Sequence, residues 1–180
     1  MTVHQQEANL KRHYNRALRY YSPLNTAGYF ATLCEALDYE PDVRRVLDLG
    51  CGDGRLLAHI NPGSYVGVDY AGNRIGLAQT IAGNRFNAQF RVGDVYQHLD
   101  TTTDTYTLTV AVETLEHLEE PARVVDAARR VSDTVVGTVP VNMPYHAHLQ
   151  VYETLEDVYD QLQPDRVTQL DRHWGVLWEQ

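Results

Sequence analysis

Three glycines at alternate positions follow a short apolar run in Val46-Leu47-Asp48-Leu49-Gly50-Cys51-Gly52-Asp53-Gly54-Arg55. Glycines there permit positive φ and let a ligand press against the backbone, and a helix opening just after the loop would offer it free N–H groups. Asp69 stands fifteen residues beyond Gly54, and Asp94 closes a later apolar run through Val92 and Gly93. A carboxylate at Asp69 could accept hydrogen bonds from both hydroxyls of a ribose. Asp48, just ahead of the loop, suits a ligand with a cationic amino-acid end better than one with a pyrophosphate. The spacing G-x-G-x-G also departs from the G-x-G-x-x-G of nicotinamide and flavin sites. A nicotinamide ligand and a purely structural turn remain distant alternatives.

A second chemical cluster is Glu113, Glu116 and His117, with His146 and His148 some thirty residues later. If a helical turn begins at Glu113, the i, i+3, i+4 spacing places all three on one face. Three readings stay open. The acids and histidines could pack the scaffold, with His148 fixing the loop from Tyr145 to Tyr152, and this reading is preferred. They could hold a divalent metal, or His117 could act as an unaided base. Cys34 falls on an apolar helical face and reads as core, and Cys51 reads as a small residue between loop glycines rather than a nucleophile. Trp174 and Trp178 read as packing residues.

Short apolar runs alternating with helical patterns position these groups, which is the signature of a parallel α/β sheet. Strands are expected at Arg45 to Leu49, Tyr65 to Asp69, Gln89 to Val92, Tyr106 to Val112 and Thr134 to Val139. Val167 to Leu170 and Gly175 to Trp178 are expected to close the sheet as a hairpin. The expected helices are Gly54 to Ile60, a segment carrying Ile75, Ala78 and Ile81, and Glu119 to Val131 with Val124, Val125, Ala128 and Val131 inward. Another opens at Thr154 with Leu155, Val158, Tyr159 and Leu162 inward. Two helices precede the sheet: one with Leu10, Tyr14, Leu18 and Tyr21 on one face, the other with Phe30, Leu33, Cys34 and Leu37, capped by Asn25 or Thr26. The fold expected is a Rossmann-like seven-stranded, mostly parallel sheet with helices on both faces and a closing antiparallel hairpin. One domain is expected over 1–180, with 1–40 an N-terminal helical lid and 41–180 the α/β core.

The 180 residues favour a single domain, and 43% apolar with 22% charged residues is an ordinary globular balance. Fifteen basic against 24 acidic side chains give a net charge of −9. From Arg91 onward, 16 acids face six bases, which argues against a nucleic-acid track across the molecule. Lys11 to Tyr21 mixes cationic residues with three tyrosines and could shape a substrate pocket, although a solvated helix face is the commoner use of such a run. Two cysteines are too few for a disulfide scaffold, and no apolar run approaches 18 residues, so a cytoplasmic chain without membrane insertion is expected. Monomer and homodimer are both compatible, an exposed last strand at the sheet edge being a surface that permits pairing.

The run Asp48 to Gly54, then Val66-Gly67-Val68-Asp69, Gly93-Asp94-Val95, and Glu113-Thr114-Leu115-Glu116-His117-Leu118-Glu119-Glu120-Pro121 resembles the motifs of class I S-adenosylmethionine-dependent methyltransferases. The similarity is to the branch containing ubiquinone-biosynthesis-type and other small-molecule enzymes, and it runs from about Arg45 to Glu179. It implies S-adenosylmethionine as cofactor. The cofactor's methionine part would lie along Gly50, Cys51 and Gly52, with Asp48 orienting its amino end. Asp69 would hold the ribose and Tyr70 would pack beside the adenine. Asp94 would take the adenine amine with the backbone of Val95 nearby, and Val112 and Glu113 would line the pocket beneath the sulfonium.

Glu113, Glu116, His117 and His148 also resemble, more weakly, the E-x-x-E-H and later His of metal-dependent small-RNA terminal 2′-O-methyltransferases. The longer stretch before the later His and the arginine-rich Phe-Glu-Trp segment of that family are absent. The function expected is methyl transfer to oxygen or nitrogen of a small-molecule acceptor, with Glu113, Glu116, His117 and His148 as candidate catalytic residues. A divalent metal is not favoured. The alternatives are a metal-assisted RNA 2′-O-methyltransferase and a non-catalytic cofactor-binding subunit that activates a partner.

Overall fold

The computed structural model describes residues 26–180. The helix expected over Leu10 to Tyr21, and the cationic and aromatic face of Lys11 to Tyr21, lie outside the described residues. The chain runs α1 (Thr26–Ala36), β1 (Arg45–Leu49), a 3-10 turn (Arg55–Ala58), β2 (Ser64–Asp69), α2 (Gly72–Ala82), β3 (Ala88–Val92), α3 (Val95–Thr101) and β4 (Tyr106–Val112). A second 3-10 turn (Leu115–His117), α4 (Pro121–Val131), β5 (Ser132–Pro140), α5 (Leu155–Leu162), β6 (Arg166–Leu170) and β7 (His173–Glu179) follow. The seven strands form one sheet in the order β3-β2-β1-β4-β5-β7-β6. β1 to β5 pair in parallel, and β7 returns antiparallel between β5 and β6. The edge strands are therefore β3 and β6. The last strand is internal, which corrects the expectation that it lies exposed at the edge.

Strand alternation sorts β1 between two cores. Leu47 and Leu49 join Val68, Val124, Ala128, Val158 and Trp178 under α3, α4 and α5. Val46 faces the other way, with Leu33, Leu56, Tyr65, Leu108 and Leu177 under α1 and the first 3-10 turn. Helices thus cover both faces. The described part of the expected lid, α1, is one of these covering layers: Phe30, Leu33, Cys34 and Leu37 are buried, and Arg166 of β6 donates to the carbonyls of Leu37 and Asp38.

Several local expectations change. The segment after Gly54 is a four-residue 3-10 turn, not a helix to Ile60. Pro62 forces Asn61 out of helical geometry, so no second turn fits before β2. Helix α3 went unpredicted; seven residues with only Val95 and Leu99 inward show too little periodicity. Val131 is half-buried and Ile81 exposed. Leu155 and Tyr159, expected inside, are 45% and 43% exposed, because α5 presents only Val158 and Leu162 to the sheet. Thr154 caps that helix in a reciprocal box with Asp157, as its spacing predicts.

Candidate cofactor cleft and acceptor edge

The carboxyl ends of β1, β2, β3 and β4 meet along one edge of the sheet, where the strand order reverses between β1 and β4. Open α/β sheets bind ligands at such a switch point. Gly50, Gly52 and Gly54 all have positive φ, at 71°, 53° and 73°. At Gly50 glycine is also demanded by contact: a Cβ there would sit 2.3 Å from Thr114 Oγ1. That hydroxyl lies 3.0 Å from Leu49 O and 3.2 Å from Val112 O, so it ties the end of β1 to the end of β4. The amides of Gly50 and Cys51 both donate to Val68 O, which holds the loop against β2.

Asp69 clamps the loop from the other side. Its two carboxylate oxygens accept from Gly52 N at 2.9 Å and from Ala71 N, at the start of α2, at 2.7 Å. Burial raises its pKa, against the pull of those amides and of Arg74, itself buried. Each oxygen of a carboxylate has two acceptor positions, so this clamp leaves capacity for a ligand hydroxyl. Asp94 caps α3 through one oxygen, which accepts from Tyr96 N and Gln97 N. Val95 is buried behind it and Tyr70 is half-buried after β2. Burial raises the Cys51 thiol far above its usual range, and the residue fills space beside Gly67, so it serves as packing.

Asp48 points to the same sheet face as Val46 and accepts a hydrogen bond from the Tyr65 hydroxyl. It is 5% exposed, and burial pushes its carboxyl up to about 7.

The structure divides the second cluster. Glu113 stands at φ 52°, a strained position for a side-chain-bearing residue, and precedes the 3-10 turn instead of starting a helix. Its carboxylate accepts from Thr138 Oγ1 at 2.8 Å and lies 3.3 Å from His173 Nε2. Glu113, Glu116 and His117 therefore do not share one helical face. Glu116 is 1% exposed, and its backbone carbonyl accepts from the amides of Leu149 and Gln150. Burial raises its pKa well above the ordinary value, with Glu113 adding a like charge.

His117 Nδ1 lies 2.8 Å from Ala147 O, and His148 Nδ1 lies 2.8 Å from Met143 O. With Nδ1 donating to these carbonyls, Nε2 is the acceptor nitrogen of each ring, and that of His117 lies 3.6 Å from Glu116 Oε1. Glu116, His117 and His148 bring ligand-type atoms within 4.8 Å of one another, and Glu113 is outside that group. The Glu116 carbonyl and the His117 ring pin the loop after β5 onto the second 3-10 turn, and His148 braces that loop internally. His146 instead packs its ring against Tyr145, tilted by 51°.

Thr114, Thr138, His173 and Tyr65 escaped the sequence reading. Each acts through a partner on another strand, and only strand register, such as Val112 beside Thr138 and Pro140 beside His173, brings them in.

A family profile described as a methyltransferase domain matches residues 11–165. No curated protein matches the sequence. Among solved structures, an N-methyltransferase, NodS from Bradyrhizobium japonicum WM9, in complex with S-adenosylhomocysteine, superposes with a TM-score of 0.68 at 17% identity, covering 97% of each chain. Magnesium protoporphyrin IX methyltransferase from Synechocystis PCC 6803, with bound S-adenosylmethionine, gives 0.65 at 15% identity over 96% of this chain and 95% of its own. Monomeric WbdD gives 0.63 at 21% identity over 89% of this chain, which spans only 42% of WbdD. At these identities the likeness establishes the fold. No helix among the described residues is long and apolar enough to cross a membrane.

Proposed function

The chain belongs to the methyltransferase-domain family, and from that premise we propose that it transfers a methyl group from S-adenosylmethionine to an oxygen or nitrogen of a small-molecule acceptor. The observation that carries this reading is the double clamp of the glycine loop by Asp69 and Thr114. It fixes a backbone surface flanked by Asp48, Asp69 and Asp94, an acid set that supports a ligand joining a nucleoside to an amino acid. In this reading Asp48 meets the cofactor's ammonium, Asp69 the ribose hydroxyls, and Asp94 the adenine amine through the oxygen that does not cap α3. Gly50, Cys51 and Gly52 give the backbone track, while Tyr70 and Val95 flank the adenine. Val112 lies beneath the sulfonium. Two solved neighbours that align along nearly their whole length hold S-adenosylmethionine or its demethylated product.

Methyl transfer from a sulfonium needs in-line alignment and exclusion of water. The acceptor's lone pair forms the new bond to carbon, the carbon–sulfur pair returns to sulfur, and the acceptor's proton must leave. Glu113 is the group assigned to receive it. Its carboxylate stands at the end of β4, 32% exposed, held by Thr138 and faced by His173. Glu116 is too deeply buried to reach an acceptor, and it acts with His117 and His148 in holding the loop after β5. The three would be the ligands if a divalent ion were bound, and such an ion would supply Lewis acidity beside the acceptor edge. Without Glu113 the set lacks one donor of the RNA-enzyme pattern, and the small-molecule reading stands ahead.

The test is incubation with methyl-labelled S-adenosylmethionine and a panel of hydroxyl- and amine-bearing small molecules, beside a short single-stranded RNA. Label in a small molecule supports the proposal. Label in the RNA 3′ end alone moves the function to the metal-assisted alternative.

A further inference from the structure

The buried contact between Tyr65 and Asp48 crosses two strands and has an orientation set by packing. Val46 and Tyr65 are register partners, as are Asp48 and Gly67. The missing side chain at Gly67 leaves space that Cys51 Sγ and the Phe90 ring fill, each within 3 Å of where a Cβ would stand. Phe90 in turn lies 5.5 Å from the Tyr65 ring, tilted by 54°. Tyr65, 1% exposed, is held by these neighbours so that its hydroxyl reaches the carboxyl of Asp48.

The charged and titratable groups facing Asp48 are few among the described residues. Tyr65 and Asp69 come from β2 and Cys51 from the loop, while its β4 partner, Val110, carries no charge. Tyr65 offers a neutral donor and Asp69 a like charge, so among the described residues these partners supply Asp48 with no cation. Burial accordingly pushes the Asp48 carboxyl up to about 7, Tyr65's hydrogen bond working against the rise.

We propose that Tyr65 is a positioning residue for the cofactor: it fixes the carboxyl of Asp48, two residues ahead of Gly50, and the ligand's ammonium displaces a proton from that carboxyl as it binds. The inference rests on the reading of the cleft as an S-adenosylmethionine site. The proton passes from Asp48 to solvent, and the carboxylate left behind keeps Tyr65's O–H as donor while gaining the ammonium as charge partner. Cofactor affinity then rises with pH up to the region of the free carboxyl's titration and levels off above it. Asp69, also raised by burial, already accepts from two amides and has Arg74 near it, so it is not the group that meets the ammonium in this scheme.

The experiment is calorimetric titration of S-adenosylhomocysteine into the full chain between pH 6 and 8, in buffers of different ionisation enthalpy, with Tyr65→Phe alongside. The thioether product is the probe because its uncharged sulfur leaves the amino group protonated over this range. The unmodified protein should release close to one proton per ligand at pH 6 and markedly less at pH 8. Losing the hydroxyl raises the Asp48 midpoint. For a one-unit rise, Tyr65→Phe binds about ninefold more weakly at pH 6, about fivefold at pH 7 and about twofold at pH 8. A merely structural role would give a deficit that does not vary with pH. The proton count of the unmodified protein decides the matter if the variant fails to fold. Binding with no proton release at pH 6 overturns the proposal, as does a pH-independent deficit in Tyr65→Phe. Absence of binding at every pH would overturn the cofactor reading itself.

Discussion

Replacing Gly50 by Ala should damage the loop through one identifiable contact. Three costs add. A side chain at φ 71° pays about 1–2 kcal/mol for the left-handed region. The new Cβ would stand 2.3 Å from Thr114 Oγ1 and 2.9 Å from its Cγ2, an overlap of the kind that costs about 1–3 kcal/mol in a packed site. As Thr114 moves away, its hydroxyl loses the bond to Leu49 O, about 1 kcal/mol. Together these come to about 4 kcal/mol, or a fall in Tm of roughly 8–16 °C for a domain of this size. Most of the contact part depends on Thr114, so a double-mutant cycle isolates it. In a Thr114→Ala background, Gly50→Ala should cost only the backbone share, about 1–2 kcal/mol, leaving a coupling of about 2 kcal/mol. Urea unfolding of the four proteins measures it. Equal costs of Gly50→Ala in both backgrounds would refute the claim that Thr114 is why glycine is needed here.

Three further perturbations separate roles that share a residue or a cluster. Asp94→Asn keeps an oxygen to cap α3 and should change stability by less than about 0.5 kcal/mol, whereas Asp94→Ala should cost about 1 kcal/mol. If the second oxygen meets the adenine amine, both variants weaken S-adenosylhomocysteine binding; retained affinity in Asp94→Asn removes that role. Glu116, whose pKa is raised in the fold, contributes stability at pH below its ordinary value of 4.5 that is lost as pH rises toward the folded value. Glu116→Gln should therefore be more stable than the unmodified protein at pH 8 and flatten the decline of Tm above pH 5, and an unchanged slope would contradict the assignment. Glu113→Gln should slow transfer to an acceptor by about 10²–10⁴-fold while leaving product affinity intact. It should also leave any Mn²⁺ binding unaltered, since Glu113 lies outside the Glu116, His117 and His148 group; loss of such binding would return Glu113 to a metal site.

The positions of the groups proposed for the cofactor were legible because they lie in continuous runs. Each strand carries a glycine or an acid at or just beyond its carboxyl end, so Asp48, Gly50, Asp69 and Asp94 could be located by counting along the chain. The acceptor side was not legible in that way. Glu113 was expected to share a helical face with Glu116 and His117, but the chain turns left-handed at Glu113 and sends its carboxylate to Thr138 and His173. Only the β4–β5 and β5–β7 registers create that neighbourhood, and no local pattern encodes them. Leu155 and Tyr159 failed for a related reason: four apolar positions fitted a helical stripe, yet only two meet the sheet.

The most direct measurement of the central claim is an equilibrium titration of S-adenosylhomocysteine into the full chain at pH 7.5, with NAD as the competing ligand class. One-to-one saturable binding of the product, unaffected by NAD, is the result the glycine loop and its acids predict. Saturation by NAD with no signal from S-adenosylhomocysteine would contradict it.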